Sequence, residues 1–225
     1  FSGIQGALAT VGVGIGASAA VSVLKSSVEA YANLEDQVRR NKAIMGATAQ
    51  QEKQLMQQTR DLGRSTKFTA QEVAEAQMYQ AMAGMKTNEV LEMTPKLLKM
   101  SIAAGSDFAQ TSDIVTDNLT AFGMSLKDSD RLMDVMVATS NNANTNVQML
   151  GEAYKYVAAT SRNFESFENV NILLGVLADN GIKSGQAGRN LAGIYRRLAN
   201  PSKQVGNALK DLNIQLYDQQ GRFKG

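Results

Sequence analysis

From residue 48 onward, helix starts and stops recur about every twenty residues, and that spacing excludes most ways the chain could fold. Thr48 is followed by Gln51, Thr69 by Glu72 and Thr145 by Gln148. Each pair fits a capping box, in which the hydroxyl takes an orphan N–H and the third residue reaches back to the cap. Thr87, Asp107, Ser125, Ser166, Ser184 and Ser202 are further cap candidates, and Gly63, Gly84, Gly105, Gly123 and Gly181 stand where helices would stop. Taken in pairs, the starts at Thr69, Asp107, Thr145 and Ser184 recur every 38–39 residues. That is the period of a helix-turn-helix unit. One unbroken helix of this length would span about 340 Å; a chain punctuated so often folds back on itself instead.

Apolar stripes at helical spacing agree: Phe108, Val115, Leu119 and Phe122; Val147, Leu150, Tyr154 and Val157; Leu173, Leu174 and Leu177. Two prolines in 225 residues leave helices uninterrupted. The expected fold is all-α: a helical-repeat-like stack of short antiparallel helices over residues 47–212. The units are not strongly self-similar, so a strict solenoid is not expected.

The two ends differ. Residues 1–24 carry no charge and are rich in Gly, Ala, Val and Ile. As a long apolar helix this stretch would reach about 36 Å, enough for a bilayer core of about 30 Å. Gly12 and Gly16 form a GxxxG pair. With Val21 and Leu24 they make a candidate membrane or oligomer contact. Burial between subunits and membrane insertion both fit. Residues 25–45 continue as an amphipathic helix, giving an N-terminal unit over 1–46. At the other end, residues 214–217 alternate apolar and polar, and 218–221 read as a turn. A small β-hairpin is expected within 213–225, with residues 222–224 as its second strand. No basic region precedes the apolar start, which argues against a secretory signal, and the sequence reads as a fragment of something larger.

The residue inventory excludes whole classes of chemistry. The chain has no His and no Cys. Ser-His-Asp and Cys-His nucleophiles, thiolate metal sites and disulfides are therefore impossible within it. The acid pairs Asp107 with Asp113 and Asp128 with Asp130 read as helix-start acids. No EF-hand spacing occurs, and residues 181–189 lack the ending of a phosphate loop. No enzyme, cofactor or metal is expected. Met78, Met82, Met85, Met93 and Met100 read as core filling. Residues 183–224 hold eight basic and two acidic side chains, a patch able to meet DNA or simply a solvated surface.

Residues 177–201, LADNGIKSGQAGRNLAGIYRRLANP, combine a helix end at Gly181, a cap at Ser184 and a small-residue face. Gly181, Ser184, Gly185, Ala187 and Gly188 form a candidate packing motif that lets this helix lie close to a neighbour. The stretch also resembles the core region of phage tail tape measure proteins of the TP901 type. The resemblance runs through Leu62-Gly63, Thr66-Lys67-Phe68-Thr69 and Glu72-Val73-Ala74. It continues through Ala81-Met82-Ala83-Gly84, Ile102-Ala103-Ala104-Gly105, and Asp117 with Ala121-Phe122-Gly123. It closes on Leu212-Asn213-Ile214, Asp218 and Gly221, with Asn213 where the family usually has glycine.

The resemblance implies a virion structural protein in the tail lumen, made in the host cytoplasm during assembly. It implies roles in tail assembly, length determination and genome delivery. The implied partners are its own copies (a trimer or hexamer), tail-tube and tail-tip proteins, the host membrane, and DNA in the lumen. It implies that length-setting belongs to long helical regions elsewhere in the parent chain and that this segment docks or plugs. A helical-repeat binding scaffold and a membrane-inserting pore-like protein remain the alternatives that the residues alone allow.

Overall fold

A computed structural model describes residues 17–218, with side chains described from Ser22 onward except that of Val23. Within that span ten α-helices follow one another: α1 (Ala17–Met45), α2 (Ala49–Ser65), α3 (Ala70–Met82), α4 (Thr87–Ala104), α5 (Phe108–Ala121), α6 (Ser129–Asn142), α7 (Val147–Ser161), α8 (Phe167–Asp179), α9 (Ser184–Ala199) and α10 (Lys203–Asp211). A 3-10 turn at Leu126–Asp128 precedes α6. No strand occurs among the described residues.

The helices sort into two rows. Each odd-numbered helix packs on the odd-numbered one before it, from α1 through α3, α5 and α7 to α9. The even row runs α2, α4, α6, α8 in the same way. Short turns force neighbours in sequence to run antiparallel, so the rows lie face to face. One apolar cluster runs between them from Leu34 and Val38 of α1 to Leu191 and Tyr195 of α9. The 38–39-residue period is thus the step along a row.

The caps explain why the helices start where they do. Thr48 and Thr69 make complete capping boxes with Gln51 and Glu72. Asp107, Ser166 and Ser202 each accept a first-turn N–H. Three expected caps are displaced by one residue. Asn146, not Thr145, caps α7 by accepting the Met149 N–H. Lys86, not Thr87, precedes α4, with Glu89 accepting the Lys86 N–H, while Thr87 turns inward and is buried. Lys183 precedes α9 without a side-chain cap, and Ser184 is its first residue.

Gly84, Gly105, Gly123 and Gly181 take left-handed φ at helix ends, as does Gly46. Gly63 does not stop a helix. It lies inside α2, where an added Cβ would sit 2.6 Å from the Ala70 backbone nitrogen. Asn213 takes φ 54, the left-handed role that glycine fills more often.

Two expected end structures need correction. Residues 1–16 of the expected long apolar helix lie outside the described residues; the described part, α1 over Ala17–Met45, is amphipathic, and among the described residues no helix is long and apolar enough to cross a membrane. Gly12 and Gly16 lie outside the described residues. At the C-terminus residues 214–217 are irregular, with a bend at Leu216 and an isolated bridge at Tyr217, not the first strand of a hairpin; α10 extends to Asp211 and Asn213 reverses the chain just ahead of them. The expected second strand at 222–224 lies outside the described residues.

Candidate contact surfaces

α3 is the hub of the stack, and its buried polar side chains fix its neighbours. Asn41 of α1 donates to the Ala74 carbonyl at 2.8 Å. Ser112 of α5 donates to the Ala76 carbonyl at 2.8 Å. Gln77 donates to Gln58 at 3.0 Å and accepts from Thr59 at 3.1 Å, tying α3 to α2. Gln80 donates to Thr94 of α4 at 3.1 Å. Such partners offset the cost of burying amides and hydroxyls. These residues share helix positions with the apolar stripe but not its chemistry, so a hydrophobic pattern does not reveal them.

Among the described helices, α7 and α9 share the most extensive seam. Gly188 carries it: an added Cβ would sit 2.1 Å from the Ala153 carbonyl oxygen. Ala187 and Ala192 are buried alongside. Gly185 faces the ring of Tyr156, over which the Arg189 guanidinium lies at 4.8 Å. Gly151 of α7 meets Ile114 of α5 in the same way on the other side. Gly181 ends α8 with φ 83. Ser184 also has positive φ, at 56. A Cβ in that region costs roughly 1–2 kcal/mol. Ser184→Gly should therefore raise stability by about 1 kcal/mol in a urea titration; an unchanged or lower midpoint would contradict the strain.

A groove of about 590 Å³ lies between α5 and α7. Asp113, Asp117 and Glu152 line it with Lys155, whose ammonium pairs with Glu152 at 2.7 Å. Partial burial, and then the Asp117 charge, push the Asp113 carboxyl above its usual range. An acid whose folded pKa is raised opposes folding once ionised, so stability falls as pH rises through that pKa. Asp113→Asn should raise the melting temperature at neutral pH. The gain should vanish below the ordinary carboxylate range, where Asp113 is neutral in both states. A gain independent of pH would contradict this assignment.

The remaining candidates fall as follows. Met85, Met93 and Met100 are buried, Met78 accepts a hydrogen bond from Gln37 at 3.2 Å, and Met82 is exposed. Asp128 accepts from Ser125, and Asp130 pairs with Lys96 at 3.0 Å. Asp113 sits in the second turn of α5, not at its start. Leu24 is exposed on α1; Val21 lies in the same helix, and its side chain is outside the description. Among the described residues, no group of three or more acids, His or Cys could hold a metal ion.

Two rows of short helices, meeting at close glycine seams and with open grooves between neighbouring helices, define an all-α helical stack. The family model for phage-related minor tail proteins matches residues 56–225, and the chain belongs to that family. It is 32% identical to a tape measure protein of Pneumococcus phage Dp-1, over 96% of this chain and 19% of that relative. It is 25% identical to a probable tape measure protein of Escherichia phage P2, over 99% of this chain and 28% of the relative. The chain thus spans between about a fifth and under a third of the curated relatives it matches. No solved structure matches it.

Proposed function

We propose that this chain is a contact-making segment of a tape measure protein. It docks against tail-tube and tail-tip proteins and against its own copies during tail assembly and genome delivery. The observation that carries this reading is the likeness to tape measure relatives along nearly the whole chain, joined to a fold of short stacked helices. A ruler needs length, and a stack of helices of 9–18 residues after α1 spends its length on folding back. The open grooves between helices are then surfaces for partners, and the work is structural. The apolar residues 1–24 pack between copies or enter the host envelope, and DNA passes the basic end in the lumen.

Light scattering on the purified chain, with co-sedimentation on tail tubes and tip complexes of the virus that encodes it, tests the reading. A trimer or hexamer that pellets with tail parts supports it. A monomer with no affinity for either overturns it in favour of a free binding scaffold. Leakage of liposomes with a peptide of residues 1–45 separates the two readings of the apolar segment; no leakage and no binding ends the membrane version.

A further inference from the structure

We propose that α10 is a strap that closes over the open side of α8 and caps the end of the stack. α8 is the last helix of the even row. One of its sides belongs to α6: Gly175 faces Ala143 and Thr139, Asp179 accepts the Asn144 N–H, and Glu168 pairs with Arg131. At 3.6 residues per turn, Leu173 lies about 160° around the helix from Gly175. That side carries Leu173, 38% exposed, with Val176 beside it, 55% exposed. In every earlier step of the row such a side is covered by the next even helix.

The next even helix is α10, and it is built for that seat. Val205, Ala208, Leu209 and Leu212 fall at i, i+3, i+4 and i+7, one apolar stripe. Lys203, Gln204, Asn207, Lys210 and Asp211 occupy the opposite side and are exposed. An end unit of a helical stack needs this pairing of an apolar inner face with a polar outer one. Yet α10 has no buried residue and, unlike the other even helices, no substantial contact with the odd helix before it. Both of its ends are held near the end of α9. Residues 200–202 join it to α9 directly. Beyond α10, Asn213 reverses the chain and the Tyr217 hydroxyl donates to the Leu198 carbonyl at 3.4 Å. A helix tethered at both ends swings on those hinges, and the open side of α8 is the apolar surface that its place in the row assigns to it. Closure removes two exposed apolar faces from water together.

The absence of cysteine makes the test clean. Helices in one row run parallel, so Leu209 should meet Leu173. The full chain carrying Leu173→Cys and Leu209→Cys should form a disulfide within one molecule under mild oxidation. The pair Leu173→Cys with Gln204→Cys, on the polar side, should leave free thiols. Disulfide-linked dimers would overturn the proposal by giving the α8 surface to the strap of a second copy, and free thiols in the first pair would overturn it outright. Hydrogen exchange on the unmodified chain needs no substitution. Amides of α10 should exchange more than about tenfold slower than unstructured peptide; exchange at the unstructured rate contradicts a seated strap.

Discussion

Gly188→Val should lower the unfolding midpoint by roughly 6–12 °C, the equivalent of about 3 kcal/mol in a chain of this size. The added Cβ would stand 2.1 Å from the Ala153 carbonyl oxygen, so it strikes backbone and not a side chain that could turn away. α7 and α9 must separate, which opens the buried Ala187, Leu191 and Ala192 of α9 to water. The control lies in the same helix. An added Cβ at Gly193 meets nothing within 4 Å, so Gly193→Ala should stabilise by about 1 kcal/mol through helix propensity. Scanning calorimetry on both variants checks the pair. Equal midpoints would show that the seam is not as tight as its geometry.

Tyr154→Ala should cost about 3–5 kcal/mol in a urea titration. Tyr154 is fully buried, and burial holds its hydroxyl protonated far above the usual range. Its ring meets Phe122 edge-on at 5.4 Å and Phe167 at 5.6 Å, while Phe122 and Phe167 touch at 4.9 Å. Three aromatic rings from the odd row, the even row and the turn between α5 and α6 thus close one joint. The Tyr154 hydroxyl donates to Asn171, whose amide donates to the Phe167 carbonyl at 2.8 Å. Tyr154→Phe separates the two contributions. It keeps the rings and strands the Asn171 carbonyl oxygen, a loss of about 1–3 kcal/mol. A cost below about 1 kcal/mol for Tyr154→Ala would mean that the joint does not hold the rows together.

The sequence carries this fold wherever one signal is local. Thr48 with Gln51 and Thr69 with Glu72 are visible because a capping box needs only four residues. Gly84, Gly105, Gly123 and Gly181 are visible because a left-handed end needs a residue without a Cβ. Gly63 looks the same in sequence and does something else: it admits the backbone of the next helix. Distinguishing the two uses requires knowing which residue lies across the gap. Asn146 was hidden by Thr145 for a similar reason, since both residues can cap and only packing of Val147 and Leu150 selects the register.

The contact surfaces were less legible. The small-residue face of residues 184–188 is readable as a close approach, but its partner, Ala153, is not. The groove of Asp113, Asp117 and Glu152 combines acids from two helices about 35 residues apart, and neither helix alone announces it. The two-row arrangement is one step beyond the period: a repeat of 38–39 residues gives the unit, while the pairing of α3 with α5 and α4 with α6 comes from the structure.

Tail length in particles that carry an in-frame tandem duplication of residues 49–199 in the parent chain is the most direct measure of the central claim. A second folded stack adds no more than roughly 40 Å, from four helices of a row at about 10 Å spacing. The account predicts tails within that margin of the original length by electron microscopy. Tails longer by roughly 230 Å, the length of about 150 residues drawn out as one helix, would show that this segment measures distance as an extended rod and would contradict the account.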